Sequence, residues 1–261
     1  MPKYFIHPHE ISDNHIHVSG ETAHHLLNVI RIKPDDSVIF GCNGQCINYH
    51  ATLLHTSKNS KELTATFIVD TTTPCYTEPN VHISLFQALP KGDKMDLIVQ
   101  KCVELGVGDI IPIHTERTIP RIKDNDKKIA RYQKIAESAA GQSMRGIIPD
   151  ILPPCTLELA TKINSEAFAM LAHEQEQNVS LKSAIEKNAS NIGNFTEPCV
   201  KDPKKRNRIN IWIGPEGGFT DKEVAILRSI GAIPVSLGKR ILRTETAAIA
   251  AIAQIICLYD S

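Results

Sequence analysis

The chain has 261 residues, 42% of them apolar and 22% charged, with 29 lysines and arginines matched by 29 aspartates and glutamates. Apolar content at that level excludes a disordered or fibrous protein, and the length suits one large domain or two modest ones. A formal net charge of zero gives no overall field for a polyanion, so any nucleic-acid role rests on local patches.

Up to about residue 70, short β-branched or aromatic runs alternate with turn signals at Tyr4–His7, His15–Val18, Ser37–Phe40, Cys46–Leu54 and Leu63–Val69. They predict a small β-rich domain over residues 1–72, interrupted by a helix over Glu21–Ile30 with Ala23, Leu26, Leu27 and Ile30 on one face. The polar stretch Asp70–Pro79, broken by two prolines, reads as the domain boundary.

From residue 79 to 261 strands and helices alternate, the α/β pattern of a parallel sheet covered by helices. The predicted strands are Val81–Ala88, Ile110–His114, Ala167–Ala172, Ile209–Ile213 and Ile233–Leu237. Met95, Ile98, Cys102 and Leu105 mark a helix that Asp93 caps and Gly106 ends, and a second helix is predicted over Asp126–Ala140. Thr220 and Glu223 form a capping box for a third, ended by Gly231. The last helix, Thr246–Leu258, is apolar on almost every side, which predicts burial against the sheet. Its apolar run, Ala247–Leu258 with Gln254 inside it, falls short of the roughly 18–20 residues that cross a bilayer. The first residues show no secretory leader, so the expected location is the cytoplasm and no membrane partner is expected.

Seven scattered cysteines without a two-residue spacing read as reduced thiols. The pairs His7/His9 and His15/His17 would each project to one face of a strand, but cysteine or acidic ligands at a metal-site spacing do not accompany them, so no metal is expected. The segment 188–208 ends in Lys201-Asp-Pro-Lys-Lys-Arg-Asn-Arg208, five cations against one acid; it reads as a solvated loop, or alternatively as an RNA contact.

In open α/β sheets ligands gather at the carboxyl ends of strands. Three turns stand out there: Leu171-Ala-His173-Glu174, Ile213-Gly-Pro-Glu-Gly-Gly-Phe219 and Leu237-Gly-Lys-Arg-Ile-Leu-Arg-Thr-Glu-Thr246. The second has three glycines in five residues, which suits close approach to a ligand and equally a purely conformational turn; it carries an acid, Glu216, where a phosphate would be repelled, so any ligand there is better neutral or cationic. The third mixes Lys239, Arg240, Arg243 and Glu245 with apolar Ile241 and Leu242, which together with the second suggests a crevice for a small amphipathic molecule.

The second and third turns, in this order and at this distance, resemble the signature of the RsmE family, SPOUT-class methyltransferases acting on N3 of a uridine in 16S ribosomal RNA. Further stretches match in order: His24–Arg31, Lys91-Gly-Asp-Lys-Met, Lys101–Val107, Thr115-Glu-Arg117, and Gln142-Ser-Met-Arg145 with Pro149. Relatives often carry proline where this chain has Lys239. The resemblance implies a PUA-like β-barrel that helps hold RNA, followed by a SPOUT-type parallel sheet whose C-terminal segment forms a trefoil knot, in a homodimer. It implies S-adenosylmethionine as cofactor, held by Leu171, His173, Glu174, Ile213, Gly214, Pro215, Gly217, Gly218, Leu237, Gly238, Ile241, Leu242, Thr246 and Ala247, although His173 fits a strand-end packing role equally well. The partner the resemblance implies is 16S rRNA of the small ribosomal subunit, with RNA contacts expected from Arg31, His25, Lys91, Lys94, Arg117, Arg121, Arg145 and Arg240. Of the catalytic candidates, Arg243 would steady the uridine oxygens. Glu216 or Glu245 would aid deprotonation, orient Arg243, or serve only as scaffold. A non-catalytic RNA-binding assembly factor of the same fold is the alternative, and a nucleotide-dependent doubly wound enzyme is disfavoured because no phosphate fingerprint is present.

Overall fold

The computed structural model describes residues 2–59, 62–119, 125–188 and 207–259. The chain divides into two compact units, Met1–Glu78 with Ala140–Ile148, and Pro79–Ala139 with Pro149–Ser261.

The first unit is a six-stranded sheet of β1 (Lys3–Ile6), β2 (Ile11–Ser12), β3 (His15–Val18), β4 (Ser37–Cys42), β5 (Ile47–Asn59) and β6 (Glu62–Pro74), in the order β1-β4-β5-β6-β3-β2. Only β1 and β4 pair in parallel. Alternation along the strands turns Ile16, Val18, Phe40, Leu53 and Phe67 inward, and the Phe40 and Phe67 rings meet edge to face at 4.9 Å. The expected helix is present in two forms, α1 (Gly20–His24) running into a π-helical turn over His25–Ile30, which Arg31 ends in the left-handed region with φ 61°. β6 runs through residues expected to be a linker: Asp70–Pro74 is strand because Thr71, Thr72 and Thr73 are β-branched and pair with His50, Tyr49 and Asn48.

The second unit is an all-parallel sheet of β7 (Val81–Ala88), β8 (Asp109–His114), β9 (Asp150–Ile151), β10 (Cys155–Thr156), β11 (Phe168–Ala172), β12 (Asn207–Ile213) and β13 (Ile233–Val235). Its order is β10-β8-β7-β12-β11-β13, with β9 also beside β8. The helices are α2 (Lys94–Glu104), α3 (Asn125–Gln142), α4 (Leu157–Ala160), α5 (Leu181–Lys187), α6 (Asp221–Ser229) and α7 (Thr244–Tyr259). Gly106 ends the α2 region at φ 103°, and a Cβ there would lie 2.6 Å from Pro79 Cγ. Phe86 and Trp212, on adjacent central strands, stack at 3.9 Å in the core.

α7 differs from expectation. Only Thr244, Ala248, Ala251, Ile252 and Ile255 are buried, one stripe at helical spacing, while Ile249, Ile256 and Leu258 are half-buried and Cys257 is exposed. Apolar composition all round the helix does not by itself supply neighbours to cover every face. Cys42, Cys75, Cys102, Cys155 and Cys257 are free thiols, whereas Cys46 is disulfide-bonded, which departs from the expectation of reduced cysteines throughout. Among the described residues no helix is long and apolar enough to cross a membrane, and no cluster of metal-ligating side chains occurs.

Candidate active site

Parallel pairing places the carboxyl ends of all the strands of the second unit along one edge. After β11 the chain turns at His173, whose N–H donates to Val235 O at 3.1 Å. The turn closes on Glu176, whose Oε1 accepts the N–H groups of Asn178 (2.8 Å) and Val179 (3.0 Å). These amide bonds, that of Asn178 foremost, hold the Glu176 carboxyl below its ordinary range.

After β12 comes the glycine turn, closed by a 2.9 Å bond from Gly218 N–H to Pro215 O. Gly218 has φ 67°, a conformation that requires glycine, and a Cβ on it would lie 2.7 Å from Glu174 Oε1, the end of a side chain that could swing aside. The turn leads into α6 through the expected capping box: Thr220 Oγ1 accepts from Glu223 N–H, and Glu223 Oε2 accepts from Thr220 N–H at 2.8 Å. Glu223 is buried because its other oxygen accepts Glu116 N–H at 2.7 Å, fixing the turn after β8 to the same helix start.

After β13, Ser236 N–H donates to Val179 O (2.8 Å) and Leu181 N–H to Ser236 O (3.2 Å), so the β11 and β13 turns are stitched together. Gln254 Nε2 donates to Leu237 O at 3.3 Å. The three turns enclose one cleft of about 1130 Å³. Its walls are His173 and Glu174 from the first turn, Gly214, Pro215, Glu216 and Gly218 from the second, and the run Ser236–Thr244 from the third.

Two tethers join the glycine turn to the start of α7. Thr244 Oγ1 donates to Gly214 O at 2.7 Å and accepts from Gln87 Nε2 at 2.9 Å, with Gln87 fully buried at the end of β7. Glu216 Oε1 accepts from Lys91 N–H (3.1 Å) and from Lys94 Nζ (2.8 Å), and Lys94 Nζ also reaches Glu245 Oε2 at 3.5 Å. Burial alone would raise the Glu216 carboxyl, but the bonds from Lys94, from its own N–H and from Lys91 outweigh it and hold it below the ordinary range. The same bond from Glu216 pushes Lys94 up. A carboxylate held ionised and hydrogen-bonded in this way is a weaker proton acceptor than a free one.

Most of the expected site residues come together at this cleft: Arg243 and Glu216 line it, with Glu245 one ion pair away. Of the expected cofactor residues, His173, Glu174, Ile213, Gly214, Pro215, Gly218, Leu237, Gly238, Ile241, Leu242 and Ala247 line it. Leu171 does not: as the penultimate residue of β11 it points into the core, and Ala172 takes the wall position. Gly217 lies outside the wall, its carbonyl accepting Arg117 Nη1 at 2.6 Å, and Thr246 is exposed on α7.

The expected RNA residues divide. Lys91, Arg117 and Arg240 are exposed in the second unit, as are Arg31 and His25 in the first, where His25 Nδ1 bonds the Tyr4 hydroxyl at 3.0 Å. Arg145 is corrected: its side chain is 3% exposed, and it donates to Glu78 Oε2 (2.8 Å) and Oε1 (3.2 Å), so it neutralises a buried carboxylate and offers nothing to a phosphate. Lys94 is committed to two carboxylates. Arg121 lies outside the described residues, as does the basic segment from 189 to 206. Sequence reasoning missed Thr244 and Gln87; a glutamine at the end of the apolar run Val81–Ala88 was the signal for the latter.

This edge of a parallel sheet, with a glycine turn and an amphipathic cleft, defines an RNA methyltransferase: the model of the RNA methyltransferase domain family matches residues 77–256. The chain is 30% identical to the ribosomal RNA small subunit methyltransferase E of Bacillus subtilis (strain 168), over 98% of this chain and 96% of that protein. It is 30% identical to the protein of the same name from Synechocystis, over 97% of this chain and 77% of that one. Among solved structures, the Neisseria gonorrhoeae ribosomal RNA small subunit methyltransferase E bound to S-adenosylmethionine matches with a TM-score of 0.77 at 30% identity, covering 99% of this chain and 98% of that one. A Legionella pneumophila methyltransferase in complex with the same cofactor matches with a TM-score of 0.80 at 26% identity, covering 98% and 97%. The chain belongs to the ribosomal RNA small subunit methyltransferase E family, whose cofactor is S-adenosylmethionine.

Proposed function

We propose that the chain methylates N3 of a uridine in 16S ribosomal RNA of the small subunit, using S-adenosylmethionine held in the cleft of the second unit. One observation carries the reading: three turns from β11, β12 and β13 converge on one cleft with Arg243 in its wall. The lining suits that cofactor. Leu237, Ile241, Leu242 and Ala247 offer apolar surface for an adenine, and the carboxylates of Glu174 and Glu176 suit a cationic amino-acid and sulfonium end. When bound, the cofactor supplies an electrophilic methyl group. The chain's own task is alignment and charge: uridine N3 gives up its proton to solvent, and the Arg243 guanidinium stabilises the negative charge that spreads to the uridine oxygens. Glu216 and Glu245, tied through Lys94, act by holding the Arg243 segment.

The finer architecture is part of the proposal. A PUA-like RNA-holding domain over 1–72 is supported by the small β-sheet unit with Arg31 and His25 exposed, and a SPOUT domain with a trefoil knot over 79–261 by the interleaved bonds among Val179, Ser236, Leu237 and Gln254. A homodimer is supported by the half-covered apolar face of α7, and a cytoplasmic location follows from an rRNA substrate. Methyl transfer from radiolabelled cofactor to unmodified small subunits and to naked 16S rRNA, followed by nucleoside analysis, tests the reading. N3-methyluridine is expected; label at another position refutes the specificity, and cofactor binding without label in any RNA refutes the activity.

A further inference from the structure

We infer that Lys94 is a positioning residue: its single ammonium, shared between a carboxylate of the glycine turn and one at the start of α7, sets where Arg243 stands in the cleft. The inference rests on the methyltransferase reading for its activity arm only. Glu216 lies 2.8 Å from Lys94 Nζ and Glu245 lies 3.5 Å from it, with side-chain exposures of 32% and 14%. These two acids belong to segments far apart in sequence, and Arg243 is two residues before Glu245. The neutral tether from Thr244 to Gly214 fixes one side of that junction, and Lys94 fixes the other.

Charge makes the second tether distinctive. With Lys94 present, two carboxylates share one cation. Without it, the exposed Glu216 carboxylate and the partly buried Glu245 carboxylate, both within reach of one ammonium group, are left as neighbouring like charges, and like charges so placed raise the pKa of the pair. The neighbouring charges do not replace it: Lys91 engages Glu216 through its backbone N–H, Arg243 lines the cleft, Asp93 precedes Lys94, and Glu174 lies against Gly218. Losing Lys94 therefore drives the glycine turn and the α7 start apart at neutral and alkaline pH and spares them in acid, when one acid takes a proton. A phosphate-binding lysine would behave otherwise.

The test compares wild type with Lys94→Met, Lys94→Met/Glu216→Gln and Lys94→Met/Glu245→Gln, and with Lys101→Met as a control on the same helix. Two readouts are followed from about pH 5 to 9: melting temperature of the cofactor-free full chain, and methyl transfer to small subunits. Expected for Lys94→Met is a loss of kcat on the order of 100-fold at alkaline pH, shrinking toward acid, with a parallel pH-dependent drop in melting temperature. The pH-dependent part of both is relieved by either second substitution, which removes the repulsion without restoring the tether, and Lys101→Met shows neither. A loss independent of pH and unrelieved by the second substitutions overturns the inference. So does an unchanged kcat with raised KM for RNA and a salt slope reduced by about one, which makes Lys94 a phosphate contact. If wild type transfers no methyl group the proposed function fails, and the melting-temperature series still decides the role of Lys94.

Discussion

The hydroxyl of Thr244 donates to the carbonyl of Gly214 at 2.7 Å, joining the first residue of α7 to the first residue of the glycine turn. Thr244 is 5% exposed, so removing its hydroxyl leaves the part-buried Gly214 carbonyl and the buried Gln87 amide without that partner. Thr244→Val is expected to cost about 1–3 kcal/mol of stability in denaturant titration and to lower kcat more than it raises KM for cofactor. Thr244→Ser keeps the hydroxyl and should restore both; a serine variant as impaired as the valine one would show that the methyl group's packing, and not the bond, matters.

On the proposed mechanism Arg243, in the wall of the cleft, acts on the nucleobase. Arg243→Ala is expected to reduce single-turnover methyl transfer by about 100- to 1,000-fold while cofactor affinity, measured by calorimetry, changes far less. Equal loss of both would assign the residue to the cofactor's own contacts.

Glu216 carries a pH signature. Its carboxyl is held below its unfolded value, so the stability it contributes is present above the ordinary glutamate range and is lost as pH falls through the lowered native value. The melting-temperature gap between wild type and Glu216→Gln should therefore be full at neutral pH and close in acid. Lys94 works in the opposite sense: its raised pKa contributes stability that persists below its unfolded value and is lost as pH rises through the native one. A gap that widens in acid would contradict the assignment of Glu216.

Glu78 and Arg145 test the internal assignment of an arginine that the family resemblance places on the RNA. Arg145→Met or Glu78→Gln leaves an uncompensated buried charge or a broken network, and should cost about 3–5 kcal/mol in urea unfolding. A variant of unchanged stability but weakened RNA binding would return Arg145 to the RNA.

Thiol chemistry should follow burial. Cys102 is fully buried and burial pushes its thiol up, whereas Cys257 is exposed on α7. Mass spectrometry after brief alkylation should find Cys102 untouched until denaturation, with Cys257 modified wherever the proposed dimer leaves α7 open. Early modification of Cys102 would mean that the α2 face opens readily.

What the sequence disclosed was local. The glycine turn, the capping box of Thr220 and Glu223 and the polar residues that follow apolar strands are encoded within a few neighbours, so the three turns could be read and their residues named. Burial and pairing are not local. Lys94 and Arg145 look like surface cations until Glu216, 122 residues away, and Glu78, 67 residues away, are found against them. Leu171 was one register position from the wall, a difference that strand alternation decides only when the last strand residue is known. Asp70–Pro74 looked like a linker by its proline, but its threonines had a strand to pair with. The uncovered side of α7 was illegible because composition describes a helix and not its surroundings.

The first unit is finished by a late arrival. Lys3 Nζ donates to the carbonyls of Met144 (3.0 Å) and Arg145 (2.8 Å), and Glu78 takes Arg145 and the N–H groups of Gly146 and Ile147. During synthesis the amino-terminal strands leave the ribosome long before residues 140–148 do, so a buried ammonium and a buried carboxylate must wait for their counterparts while much of the second unit is still being made. The order of assembly is thereby written into the chain: the amino-terminal sheet can form early, but it locks only after the long helix α3 has delivered its end.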